Sequence, residues 1–172
     1  MSRCLVLVRH AKSSWDDPSL GDHERPLARR GVKALPRLRD HLARSGCPPQ
    51  VVLCSSSRRT LDTLAGIRTV VAEHGRVEVD DALYGASTGK LLKRLHGVDE
   101  GVTCALLVGH NPGLHELAML LTGAGDADLR TRLAAKFPTA AAATLTFDGR
   151  WTDLHRGAAR LDDLFTPRPG RR

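Results

Sequence analysis

Short apolar runs alternate along this chain with longer stretches in which leucines recur at helical spacing. Leu5-Val6-Leu7-Val8 runs straight into Arg9-His10. Val51-Val52-Leu53-Cys54 runs into Ser55-Ser56-Ser57-Arg58-Arg59, and Ala105-Leu106-Leu107-Val108-Gly109 into His110. Each run reads as a buried strand, although periodicity alone does not tell so short a run from a helix. Between them, residues 27–44 are helical in pattern, with Leu35, Leu38 and Leu42 on one face. Pro36 is expected to kink or restart that helix, and Ser45-Gly46-Cys47-Pro48-Pro49 ends it. Ser55, Ser56 and Ser57 are natural caps for a helix running to about His74.

Val77-Glu78-Val79 is a short candidate strand. Ser87 or Thr88 caps a helix through His96 that offers Leu91, Leu92 and Leu95 to the core. Asn111 is expected to cap the helix after the third apolar run, with Pro112 at its first position and Leu114, Leu117, Ala118 and Leu121 as its buried stripe. A short helix follows over 126–136. Residues 139–147 and 150–154, separated by Asp148-Gly149, are expected to close the chain as a hairpin. Residues 13–26, rich in Ser, Asp, Pro and Gly, form a long loop.

Strands alternating with helices predict an α/β fold with a mostly parallel sheet. In such sheets ligands bind beyond the carboxyl ends of the strands. If the three apolar runs lie parallel, His10, His110, Arg9 and one of Arg58 and Arg59 meet at one edge. Arg58 and Arg59 fall in the first turn of a helix, where free backbone N–H groups already favour an anion. Successive helical residues point about 100° apart, so only one of them faces the edge. Arg25, biased to an extended backbone by Pro26, either reaches back to an anion beside His10 or stands as a surface charge. Trp15 either caps the site or covers the core.

Composition narrows the function classes. With 172 residues the chain makes one domain with a sizeable core. Aromatics are only 3%, so Leu, Val and Ala build that core. The net charge of +7 admits an anionic substrate, nucleic acid, or a basic solvated surface. A nucleic-acid role lacks interleaved aromatics and any recognisable module. Cys4, Cys47, Cys54 and Cys104 show no Cys-x-x-Cys spacing, and three of them lie in apolar runs, which predicts reduced core thiols. No apolar run is long enough to span a bilayer and no signal segment is read, so the expected location is cytoplasmic. Met119 stands where a His-Glu-x-x-His zinc pattern starting at His115 needs its second histidine, and neither a P-loop nor a Gly-x-Gly-x-x-Gly turn is present.

Arg9-His10-Ala11-Lys12-Ser13, Arg25-Pro26-Leu27 with Gly31, Leu83-Tyr84-Gly85-Ala86-Ser87 and Gly109-His110-Asn111-Pro112-Gly113 together resemble the histidine phosphatase superfamily, in its SixA-type phosphohistidine phosphatase branch. The resemblance runs over nearly the whole chain. It implies a phosphoglycerate mutase-like three-layer α/β/α domain over residues 1–165, while the arginine-rich composition of residues 166–172 reads as a basic, flexible tail. The resemblance selects Arg59 over Arg58. It implies that His10 takes the phosphoryl group as a phosphohistidine that water then hydrolyses, with Arg9, Arg59 and His110 completing the catalytic set. Ser13, Trp15, Arg25, Tyr84 and Asn111 are implied to bind substrate, and neither metal nor cofactor is needed. In the family the backbone carbonyl after the nucleophile fixes its ring proton; Ala11 stands here where many members have glycine.

Members of the wider superfamily carry a glutamate near the stretch matching Leu83-Tyr84-Gly85 as general acid, and this chain has none between Asp81 and Asp99. A general acid typically contributes roughly 10²–10⁴-fold. An alcohol leaves with a basicity near pKa ~16, an imidazole with a pKa of about 6.5. The expected substrate is therefore a phosphohistidine protein domain or a related small phosphoramidate. The alternatives are a small phosphomonoester, with Asp16, Asp17, Asp22 or Glu24 supplying the proton, or a domain that binds phosphohistidine or another anion without turnover.

Overall fold

The computed structural model describes residues 1–168; residues 169–172, which make up most of the expected basic tail, lie outside the described residues. Among the described residues seven strands form one sheet: β1 (Ser2–Arg9), β2 (Val51–Ser55), β3 (Arg76–Asp80), β4 (Cys104–Gly109), β5 (Thr122–Gly125), β6 (Ala142–Asp148) and β7 (Ala159–Phe165). Their order is β3-β2-β4-β1-β6-β7-β5. β3, β2, β4 and β1 are mutually parallel, so the three apolar runs do lie side by side with their carboxyl ends on one edge. β6 pairs antiparallel with β1 and β7.

The helices are α1 (Arg29–Arg44), α2 (Arg58–Ile67), α3 (Thr88–His96), α4 (Gly113–Leu121) and α5 (Ala127–Ala135). Alternation along the strands sorts them into layers, because successive strand side chains point to opposite faces. Cys4, Val6 and Val8 of β1 pack with Leu35, Leu38 and Leu42 of α1 and with Leu64 and Ile67 of α2. Leu5 and Leu7 pack instead with Leu91 and Leu95 of α3, Leu114 and Leu117 of α4, and Leu133 of α5. Strand residues thus serve two cores at once, and the fold is the expected three-layer α/β/α sandwich.

Local expectations fail in three places, and a restart at Pro36, one of two alternatives there, is not taken. The closing hairpin pairs β6 with β7, not with residues 150–154. Trp151–Asp153 form a 3₁₀ turn instead. There Trp151 is fully buried, its ring 5.1 Å from Phe147 and its indole N–H donating to the Val102 carbonyl at 2.8 Å. α2 stops at Ile67 rather than near His74, giving way to a 3₁₀ turn over Arg68–Val70 where β-branched residues begin. α1 runs through Pro36 without restarting. Asn111 does not cap α4: the helix begins at Gly113, and the Asn111 side chain donates to the Phe137 carbonyl at 2.8 Å.

The loop after β1 is clasped at its base. Ser14 N–H donates to Pro26 O at 2.8 Å, Ala28 N–H to Lys12 O at 2.8 Å, and Ser13 and Leu27 form an isolated antiparallel bridge. Gly31 makes this closeness possible, since a Cβ there would lie 2.2 Å from the Lys12 carbonyl oxygen.

Candidate active site

His10 follows β1 directly, and its N–H donates to the Gly109 carbonyl of β4 at 3.1 Å. Its ring lies 5.3 Å from that of His110, which follows β4. Parallel register therefore does what the sequence pattern implied, and brings two imidazoles from distant stretches into contact. His10 Nδ1 lies 2.7 Å from the Ala11 carbonyl oxygen. That carbonyl can only accept, so Nδ1 carries the proton and Nε2 is left with its lone pair. The Ala11 peptide is itself held. Its N–H donates to Thr63 Oγ1 at 2.9 Å, and that hydroxyl donates to the Arg59 carbonyl at 2.7 Å. Thr63 thus ties the first turns of α2 to the backbone that orients His10.

Ser57 caps α2, its hydroxyl accepting from Thr60 N–H. The helix turns Arg59 inward, buried, and leaves Arg58 exposed beside Asp62. Arg59 Nη1 donates to the Asp22 carbonyl at 2.7 Å and Nη2 to the Asp22 carboxylate at 3.0 Å. Arg9 Nη1 donates to Phe137 O at 3.1 Å, the same carbonyl that receives Asn111. Arg25 is buried, donates to Ser13 Oγ and lies 3.5 Å from the Asp22 carboxylate. The site residues expected from sequence are therefore brought to one edge of the sheet.

Trp15 does not cover the core. It is 71% exposed, and its ring lies under the Arg25 guanidinium, 3.3 Å from centroid to Cζ. That stacking holds the cation by its flat face. Tyr84 stands edge-on to His110 at 5.5 Å, and its hydroxyl donates to the Asp22 carboxylate.

Two side chains matter more than their sequence context indicated. Ser55, the last residue of β2, is fully buried with its hydroxyl 2.7 Å from His110 Nε2. It had no signal beyond its place in a serine run. Asp22 was one of four acids on the loop, and only folding singles it out as the partner of Arg59, Arg25 and Tyr84 together.

The electrostatics follow from burial beside cations. His10 is pushed down to about 4, chiefly by burial and further by the charges of Arg59, Arg9 and Arg25. His110 is pushed down to about 3, again by burial first and then by His10 and Arg59. Both rings are neutral at pH 7. The Tyr84 hydroxyl, then Arg59, hold the Asp22 carboxyl below its usual range. Buried polar atoms normally find partners. Among the described residues, those without one are Arg9 Nε, Arg25 Nε, His110 Nδ1 and Asn111 Oδ1, all in this site. Two of these are N–H donors in every state. Three guanidiniums against one nearby carboxylate make an edge suited to an oxyanion.

Comparisons with known proteins agree with this geometry. A model of the histidine phosphatase superfamily (branch 1) matches residues 5–97. An uncharacterized protein of Mycobacterium tuberculosis is 37% identical over 94% of this chain and 100% of its own length. A solved structure of a candidate phosphohistidine phosphatase SixA from Nakamurella multipartitia superposes with a TM-score of 0.84 at 30% identity, covering 97% of each chain. A second such SixA candidate, from Agrobacterium tumefaciens, gives a TM-score of 0.81 at 26% identity over 96% of this chain and 98% of that one.

Proposed function

Since the chain belongs to the histidine phosphatase superfamily, in its SixA type, we propose that it is a phosphohistidine phosphatase whose nucleophile is His10. The observation that carries this reading is the His10 ring itself: neutral at pH 7, with Nδ1–H donating to Ala11 O and Nε2 free, beside Arg9, Arg25 and Arg59. A neutral imidazole with one nitrogen anchored is a competent nucleophile.

In the first step the His10 Nε2 lone pair attacks phosphorus. The bond from phosphorus to the substrate nitrogen breaks, its electron pair stays on the departing imidazole, and solvent supplies the proton. In the second step water attacks the phosphoryl group on His10, releasing inorganic phosphate and a proton and restoring the neutral ring. Charge spreads over the equatorial oxygens in both steps. Arg9, Arg25 and Arg59 supply the opposing charge, and His110 supplies a neutral hydrogen bond whose tautomer is set against Ser55. This assignment needs no metal.

The substrate class follows from Asp22. The Asp22 carboxyl, whose charge is felt by His110, is held ionised by Tyr84 and Arg59, so it has no proton to give an alkoxide. A phosphoramidate, whose imidazole leaves with little help, suits such a site better than an alkyl phosphate. A phosphorylated protein domain is the proposed partner.

The test compares hydrolysis of a phosphohistidine-bearing protein with that of simple alkyl phosphates, and traps phosphate on the enzyme by rapid quench. Phosphohistidine should be turned over by far the faster, with the trapped label on His10 and none in His10→Ala. Robust alkyl phosphate turnover would move the substrate to a phosphomonoester. Undiminished turnover by His10→Ala would end the nucleophile assignment.

A further inference from the structure

β1 and β4 carry the two histidines at their carboxyl ends and two cysteines at their amino ends. Cys4 and Cys104 are register partners on these adjacent parallel strands. Both face the α1–α2 side, among Val6 and Leu106. Cys47 arrives from the connection between α1 and β2, and the Cys104 thiol donates to its carbonyl at 3.2 Å. Residues that are far apart in sequence thereby place three sulfur atoms within 4.8 Å of one another. We propose that Cys4, Cys47 and Cys104 form a binding site for one thiophilic d¹⁰ cation, of the zinc(II) or copper(I) class, at the amino edge of the sheet.

The geometry suits such an ion. Three thiolates at metal–sulfur distances of about 2.3 Å stand about 3.8–4.0 Å apart around the ion, so the sulfurs need to close by an ångström or less. A disulfide uses only two sulfurs, whereas here each of the three lies close to both others. Soft thiolate sets select copper(I) and zinc over magnesium or calcium. Access and a fourth direction are both present. A cavity of about 370 Å³ opens against Cys4 and Cys47, with His41, Arg44, Asp162 and Asp163 on its walls. Cys47 is half-buried on that side, while Cys4 and Cys104 are buried behind it. Each thiol that ligates gives its proton to water, so binding tightens as pH rises. Arg44 on the cavity wall lies near the negative charge that three thiolates would retain.

The site is remote from the histidines. Cys4 and Cys104 each lie six residues before His10 and His110, roughly 20 Å along the strands at about 3.3 Å per residue. Metal binding here would pin β1, β4 and the α1–β2 connection together without touching the phosphoryl chemistry. Cys54, fully buried in β2 and outside the trio, is the internal control.

The experiment titrates the full-length protein, kept reduced, with cadmium(II) and cobalt(II). Sulfur-to-metal charge-transfer absorption, native mass and protection of thiols from alkylation are the readouts. Expected are saturation at one ion per chain, protection from alkylation of Cys47, the one half-buried thiol among the four, and a rise in melting temperature. Cys47→Ser should abolish the absorption and weaken binding at least tenfold while leaving phosphatase turnover unchanged; Cys54→Ala should keep both. Absence of charge-transfer absorption, or a titration indifferent to Cys47→Ser, would overturn the proposal. So would protein isolated without reductant that carries a disulfide within the trio and takes up no ion once reduced.

Discussion

Acid lability should be traceable to His10. In the unfolded chain its ring titrates near 6.5, and in the fold burial and three arginines push it down to about 4. Below pH 6.5 the unfolded state therefore binds a proton that the native state refuses. Stability from this group is fully present above about pH 6.5 and is lost as pH falls toward 4. A tenfold difference in proton affinity corresponds to about 1.36 kcal/mol, so between pH 7 and pH 5 His10 alone should cost about 2 kcal/mol. His110, pushed to about 3, should add a comparable amount over the same interval. The measurement is urea denaturation of the wild type and of His10→Gln at both pH values. Glutamine does not titrate, so the wild type should lose about 2 kcal/mol more than the variant on going to pH 5. The difference of differences removes the titrating groups that do not interact with His10. Parallel losses in the two proteins would refute the reasoning, since they would mean that native His10 accepts its proton as easily as a solvated imidazole.

Asp22→Asn removes the carboxylate that sits on Arg59 and Arg25. The competitive inhibition constants of phosphate and tungstate should tighten by about tenfold, a change of about 1.4 kcal/mol, and weaker inhibition would show that Asp22 orients the arginines more than it competes with anions. Ser55→Ala leaves His110 Nε2 buried without its partner. It should lower kcat by roughly ten- to a hundredfold, the 1–3 kcal/mol of an unsatisfied buried group, with KM little changed, and a pure KM effect in steady-state assays would place Ser55 in substrate binding instead.

Much of the fold was legible because a strand buried on both faces leaves a plain mark. β1, β2 and β4 are unbroken apolar runs, and each ends abruptly in the polar residues of the site. β5 left no such mark. Thr122-Gly123-Ala124-Gly125 has no apolar pattern, and it is a strand only because β7 offers it a partner. β7 itself alternates, but with Arg160, Asp162 and Asp163 among its residues and a register shift opposite Thr144 and Leu145. Trp151 looked like a strand residue on propensity, and tertiary burial with a hydrogen bond to Val102 put it in a turn. Within the candidate site, Arg9, His10 and His110 could be read from their places at the ends of strands, whereas the first helical turn offered both Arg58 and Arg59 and only the family resemblance chose between them. Asp22 and Ser55 could not, because what distinguishes them is which neighbours they meet after folding. The cysteine trio was hidden for the same reason: its members belong to three separate elements, and only the parallel register aligns two of them.

The clasp at the base of the loop after β1 bears on how such enzymes diverge. Ser14 with Pro26 and Lys12 with Ala28 fasten residues 14 and 26 together, so whatever lies between them hangs from a fixed frame. Chain added at the tip costs little closure entropy, about 0.6 kcal/mol for each doubling in length. The strand that carries His10 does not feel it. Substrate preference can then be rewritten by grafting or trimming that flap, one side of the pocket at a time, while the His10 imidazole stays where the sheet put it.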